Sequence, residues 1–263
     1  MSTETVKSKD GTTIAYEKAG SGPALVLVDG AMCYREFGPA RDVSKALEDE
    51  YTVYIYDRRG RGESGDTAPY AVEREIEDLA AILTEAGGSP FVMGQSSGAG
   101  LALIAAASGV KMKKLASYEA PFVGLKLVKG QKPDHIAILK RYIAEGNREK
   151  AVGHFMVKMV GGPWFLPLMM RTMPKVWKQL QAVAHTLPYD SAVMGGDFEV
   201  PASLKKITVP TLVMGGSKYA PNMKAAVEGV AAAVPGSELV ILPGQTHQVS
   251  PAVLVPELKR FFR

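Results

Sequence analysis

The chain has 263 residues, 46% of them hydrophobic and 22% charged, a balance ordinary for a globular protein that is either one large domain or a core with an insertion. Lys plus Arg number 31 against 27 Asp plus Glu, and the short clusters Lys111/Lys113/Lys114 and Lys126/Lys129/Lys132 lack interleaved aromatics, which argues against a nucleic-acid partner. Met1 to Lys7 holds no apolar run of signal-peptide length, Leu101 to Val110 is too short to span a bilayer, and a lone Cys33 excludes an internal disulfide. Together these predict a cytoplasmic protein with no membrane partner.

Along the chain, strand-like and helix-like segments alternate. After the Asp10-Gly11 turn, Thr12 to Lys18 reads as a strand and Ala24 to Val28 as a buried one. A helix over Val43 to Glu48 precedes a strand over Val53 to Tyr56, and a helix over Val72 to Glu85 precedes a strand over Phe91 to Met93. The helix Gly98 to Ala107 and the strand Leu115 to Tyr118 follow. From Gly124 to Val200 the pattern turns helical, as in His135 to Ala144 and Glu149 to Val160, and that stretch holds six of the twelve methionines. Alternation then resumes with Thr211 to Met214, Met223 to Ala233, Leu239 to Leu242 and Leu254 to Phe262. Such order predicts an α/β protein whose mainly parallel sheet is covered on both faces, with ligands outside the carboxyl ends of the strands. The helical stretch 124–200 reads as a cap inserted into a core formed by 1–123 and 201–263.

The run Val92-Met93-Gly94-Gln95-Ser96-Ser97-Gly98-Ala99-Gly100 joins a strand to a small-residue helix. A strand that turns into a helix over one residue strains that residue, and Gly94 and Gly98 keep Cβ atoms out of the crowded turn around Ser96. The segment Leu27-Val28-Asp29-Gly30-Ala31 can aim the Ala31 amide at a developing oxyanion, with the Ser97 amide as second donor. Asp57-Arg58-Arg59-Gly60-Arg61-Gly62-Glu63-Ser64 reads as a supporting turn whose arginines are ion-pair partners, since no Walker lysine follows. His247, after Leu242-Pro243-Gly244-Gln245-Thr246, stands where a base would reach Ser96. His135, His154 and His185 fall in the helical stretch. Cys33 has only Arg35 nearby to activate it, so it reads as passive.

In order and spacing, the Gly-Gln-Ser-Ser-Gly elbow, the Asp-Gly segment, the Asp57 to Ser64 turn and the terminal Gly-Gln-Thr-His resemble the α/β-hydrolase family over nearly the whole chain. The resemblance implies an α/β-hydrolase fold, an eight-stranded sheet with a helical cap after the sixth strand. Asp29 stands where that family often has histidine, a small departure because the oxyanion contact is made by backbone. A larger one follows the seventh strand. Family members commonly place the triad acid there, but Val213-Met214-Gly215-Gly216-Ser217-Lys218-Tyr219-Ala220-Pro221 holds no carboxylate. Glu119, at the end of Leu115 to Tyr118, is the candidate replacement, similar to the arrangement in some haloalkane dehalogenases and in zearalenone-type lactone hydrolases. Asp190, Asp197 and Glu199 are rival acids near the end of the cap.

A serine at the elbow argues against dehalogenase and epoxide-hydrolase chemistry, which in this family uses aspartate there. The leading expectation is a serine esterase or lactonase acting on a small, largely apolar substrate, with Ser96 as nucleophile, His247 as base, Glu119 orienting it, and Ala31 and Ser97 amides holding the oxyanion. Met32, Trp164, Trp177 and Met156 are expected to line the pocket. No metal or other cofactor is implied, and a homodimer is compatible with the sequence. Two other classes stay open: a same-fold lyase or cofactor-independent oxygenase using the His247–acid dyad, and a non-catalytic ligand receptor.

Overall fold

Apolar, β-branched runs at regular spacing pair into one eight-stranded sheet of order β1-β2-β4-β3-β5-β6-β7-β8 in a computed structural model, which describes residues 2–124 and 132–263. The strands are β1 (Glu4–Lys7), β2 (Thr13–Ala19), β3 (Ala24–Val28), β4 (Thr52–Tyr56), β5 (Phe91–Gln95), β6 (Lys114–Tyr118), β7 (Thr211–Gly216) and β8 (Glu238–Leu242). Only β1–β2 and β2–β4 pair antiparallel; the remaining pairs are parallel. β5 and β7 are buried throughout, which is why they read as continuous apolar runs rather than alternating ones.

Helices cover both faces. α2 (Val72–Glu85), α3 (Ser97–Ala107) and α9 (Pro221–Ala233) pack on one side, where Leu79, Ile82, Leu101, Val227 and Val230 share a core with Val26 and Val92. α1 (Ala40–Lys45) and α10 (Pro251–Phe262) close the other, where Val43, Leu254, Leu258 and Phe262 meet Leu25, Phe91 and Met214. The apolar, small-residue α3 is buried almost all round, as expected of a helix wedged between sheet and neighbouring helices.

Between β6 and β7 the described chain is helical: α4 (His135–Ala144), α5 (Arg148–His154), a π-helical turn Phe155–Met159, α6 (Leu166–Arg171), α7 (Pro174–Ala182) and α8 (Leu187–Val193). These helices have a core of their own, in which Leu139, Val152, Trp177, Leu180 and Leu187 surround Met32 from the loop after β3.

Register sets up the site. Val28 pairs with Gly94, Gln95 with Tyr118, and Tyr118 with Met214, so the loops after β3, β5, β6 and β7 emerge side by side. The sheet order reverses between β3 and its neighbours β4 and β5, the switch point at which open α/β sheets bind ligands.

Several local expectations differ from the fold. β1 is an additional strand, α1 and α10 begin at Ala40 and Pro251 rather than at Val43 and Leu254, and the run Glu149 to Val160 is divided by the π turn. Lys126 and Lys129 lie outside the described residues. No helix among the described residues is long and apolar enough to cross a membrane.

Candidate active site

Ser96 has φ 56° and ψ −130°, a strained conformation for a residue with a side chain, and donates its amide to the Tyr118 carbonyl at 2.9 Å. Its neighbours have no room for side chains. A Cβ on Gly94 would lie 2.6 Å from the Ala99 Cα, and one on Gly98 would lie 2.2 Å from the Val28 carbonyl oxygen. The loop after β3 comes equally close, since a Cβ on Gly30 would sit 2.8 Å from that of Ser96. Ala31 and Ser97 therefore flank the Ser96 hydroxyl, and all three line one cavity. Among the described residues, no acceptor within the chain takes the amide hydrogen of either Ala31 or Ser97.

Glu119 closes the other side. It too has a positive φ, 47°, at the point where β6 ends, and its amide donates to the Met214 carbonyl at 3.0 Å. Its side chain is fully buried. Oε1 accepts the Gly216 amide at 2.8 Å, while Oε2 lies 2.7 Å from Nδ1 of His247. Nε2 of His247 lies 3.0 Å from Oγ of Ser96. A carboxylate only accepts, so in the neutral imidazole Nδ1 carries the hydrogen and Nε2 presents its lone pair to the serine hydroxyl. Gln95 Nε2 donates to the His247 carbonyl at 3.1 Å, and the Tyr118 hydroxyl donates to the carbonyl of Thr246, so the histidine loop is held from β5 and β6. Burial, aided by Glu119, pushes the Tyr118 hydroxyl well above its ordinary range and keeps it a donor. Glycine at 216 has a physical reason: a Cβ there would lie 2.3 Å from the Gln245 carbonyl oxygen.

The rival acids are engaged elsewhere. Glu199 pairs with Lys132 at 3.0 Å, and Asp197 accepts the Glu199 amide at 3.1 Å. Asp190, fully buried at the start of α8, accepts from Arg61 at 2.8 Å, Arg58 at 2.9 Å and the Ser97 hydroxyl at 2.7 Å. The turn after β4 is an ion-pair hub. Arg58 also forks onto Glu75, Arg59 onto Asp78 and Asp10, and Asp57 accepts the amides of Arg35 and Glu63. Burial pushes the Asp29 carboxyl up to about 7 and the Cys33 thiol up to about 12, the latter with help from Asp29, so Cys33 is held as an unreactive thiol.

The cavity has a volume of about 320 Å³ and is lined by Ser96 and His247. Its lining corrects the expected pocket. Met32 and Trp177 are buried in the core of the inserted helices, Met156 packs against that same core, and Trp164 is 80% exposed on the outer surface. None of the four lines the cavity; Phe155, Met159, Val160, Met194, Phe198 and Met223 do. Phe155 and Met159 are one helical turn apart and share a face, whereas Met156 is rotated away from it. Lys218, which stands in the segment where an acid was sought, lines the cavity as well. Among the described residues no cluster of His, Cys, Asp or Glu is arranged to hold a metal ion.

Comparison with known proteins agrees with this arrangement of strands and loops. A family model described as the alpha/beta hydrolase family matches residues 22–257. A solved structure of an alpha/beta hydrolase from Sphaerobacter thermophilus is 46% identical, covering 99% of this chain and 100% of that one with a TM-score of 0.89. The esterase RhEst1 from Rhodococcus sp. shares the fold at 21% identity, 99% and 98% coverage and a TM-score of 0.70. A curated relative, the uncharacterized hydrolase YraK of Bacillus subtilis, is 35% identical over 97 residues, 35% of each chain, so the match spans about a third of that relative's length.

Proposed function

Because the chain belongs to the alpha/beta hydrolase family, we propose that it hydrolyses a carboxylic ester or lactone of a small, largely apolar compound through an acyl-enzyme. The single observation that carries this reading is the unbroken contact chain from Glu119 to His247 to Ser96, 2.7 Å and then 3.0 Å. Ser96 Oγ attacks the carbonyl carbon while Nε2 of His247 takes its proton, and Glu119 stabilises the imidazolium that forms. The carbonyl oxygen, negative only in the tetrahedral species, is received by the amides of Ala31 and Ser97. His247 then returns the proton to the leaving alkoxide. In the second half-reaction it activates water, which releases the acid and restores Ser96.

Residues 124–200 act in this reading as a cap over a core of 1–123 and 201–263. Phe155, Met159 and Met194 supply a flexible apolar roof, a lining that favours an apolar acyl or alcohol portion.

A serine-directed fluorophosphonate tests the assignment. Wild-type protein is expected to be labelled at Ser96, Ser96→Ala to lose labelling and aryl-ester turnover, and Glu119→Gln to lower kcat by about 10³–10⁴-fold. Aryl-ester turnover surviving in Ser96→Ala would sink the acyl-enzyme reading.

A further inference from the structure

Among the buried charged groups that take no part in the mechanism is Asp190, in the helical segment rather than the sheet, where it lines the cavity. Its partners reach both proposed oxyanion donors. Arg61, buried, donates from Nη2 to both Asp190 oxygens at 2.9 and 2.8 Å, and from Nη1 to the Gly30 carbonyl at 2.7 Å. The carbonyl of Gly30 and the amide of Ala31 belong to one peptide plane and point in opposite directions across a trans bond. Fixing the Gly30 oxygen on Arg61 therefore fixes the direction of the Ala31 N–H. Arg58 Nη1 donates to Asp190 at 2.9 Å and to the Ser97 hydroxyl at 3.1 Å, and that hydroxyl donates to Asp190 at 2.7 Å. The same carboxylate thus anchors the residue that carries the second amide.

Charge explains why an acid must stand there. Arg58 and Arg61 are both fully buried, and of the two only Arg58 is met by Glu75. Without Asp190, Arg61 keeps hydrogen bonds only to the neutral acceptors Gly30, Cys33 and Thr186 among the described residues; Asp29 acts on it through space but takes no hydrogen bond from it. A buried guanidinium without a hydrogen-bonded counter-charge draws in water or shifts from its place. Either response releases the Gly30 carbonyl and lets the peptide plane rotate.

We propose that Asp190, acting through Arg61 and Arg58, is a positioning residue that sets the oxyanion amides of Ala31 and Ser97, so that oxyanion stabilisation depends on a residue of the cap. The proposal rests on the acyl-enzyme reading above. It assigns Asp190 no contact with the reacting atoms.

Asp190→Asn, close in shape, removes the charge. The expected result is a fall in aryl-ester kcat of about 30–100-fold, approaching the loss of one oxyanion donor, with KM within about threefold because the neutral carbonyl is still bound. Affinity for an aryl trifluoromethyl ketone, which forms a tetrahedral oxyanion on Ser96, is expected to weaken by a factor similar to the loss in kcat/KM. Rates are referred to sites titrated to completion with fluorophosphonate, so a partly unfolded sample does not count as a catalytic effect. Arg61→Lys keeps the charge but loses the fork, and Ser97→Ala loses only the hydroxyl. Each is expected to lose about tenfold in kcat, and they decide the matter if Asp190→Asn does not fold. Folded Asp190→Asn with wild-type kcat and ketone affinity would overturn the proposal, as would unchanged kcat in both substitutes. Ser96→Ala separates the two readings. If it abolishes turnover while Asp190→Asn is unaffected, only the positioning role falls; if Ser96→Ala itself turns over, the acyl-enzyme reading falls.

Discussion

A Cβ at position 30 would lie 2.8 Å from the Cβ and 3.3 Å from the hydroxyl of Ser96. Ser96 is fixed by the elbow and cannot yield, so in Gly30→Ala the loop must withdraw, taking the Ala31 amide with it. We expect kcat to fall at least tenfold, on the scale of a weakened oxyanion donor, while Tm changes by only a few degrees; a folded Gly30→Ala enzyme with wild-type kcat would show that the loop tolerates the displacement. The adjacent Asp29 makes a pH prediction. Burial raises its carboxyl to about 7, above an exposed aspartate near 3.9, so the folded state holds this proton more tightly than the unfolded one. Its contribution is full below about pH 4 and is lost as pH rises toward 7. Asp29→Asn, permanently neutral, is therefore expected to raise Tm more at pH 8 than at pH 5. Equal changes at both pH values would contradict the linkage. Sequence displayed the elbow glycines and the absence of an acid after β7, because both are matters of residue type. It could not display the positive φ of Glu119 or the burial of Asp29, which arise from what packs around them.

Among the elements, α3 gives a contrasting glycine. A Cβ on Gly98 would come within 2.2 Å of the Val28 carbonyl and 2.5 Å of that of Asp29, backbone against backbone, with no flexible side chain to move aside. Gly98→Ala is expected to cost about 3 kcal/mol or more by overpacking, lowering Tm by several degrees. An unchanged thermal midpoint would mean that α3 can slide away from β3. The same contrast explains what was legible at this scale. Strands buried on both faces, such as β3, and the amphipathic α2 are legible to their ends, because their apolar pattern reports the faces they bury. β1 is not, being four residues of alternating polarity on the sheet edge that bury little. The helical period of the inserted segment is plain in its sequence, but which face of each helix meets the cavity is not, and the expected pocket differs from the observed one for that reason. Trp177 reads the same in sequence whether it faces the cavity or, as here, the core of the insertion. Asp190 was visible as a charge near the site, but its pairing with Arg58 and Arg61 links residues 129 or more positions apart, which no local pattern encodes.

At the scale of the whole molecule, charge is distributed so that acid should loosen the inserted segment before the sheet. Three of the four histidines, His135, His154 and His185, belong to that segment. Burial lowers all three, and His154 falls to about 4 with further lowering from His135, Lys158 and Arg141. His135 Nδ1 and His154 Nε2 lie 2.9 Å apart, bridging α4 and α5, so a second proton on the pair would set two like charges in contact. A depressed histidine value means that the unfolded segment binds protons more readily than the folded one. Stability from these groups is thus full above about pH 6.5 and is lost as pH falls toward 4. Burial raises Asp190, but Arg61 and Arg58 more than offset it and hold the carboxyl below the ordinary range, so its ion pairs persist through this interval and fail only at lower pH. The segment should therefore open locally while still tethered to the turn after β4. Hydrogen exchange between pH 7.5 and 5, corrected for intrinsic rates, is expected to lose about tenfold or more protection in α4 and α5, with β5 and β6 unchanged. His154→Gln should remove much of that dependence. Equal pH dependence in sheet and insertion, or an undiminished effect in His154→Gln, would place the acid-sensitive groups elsewhere.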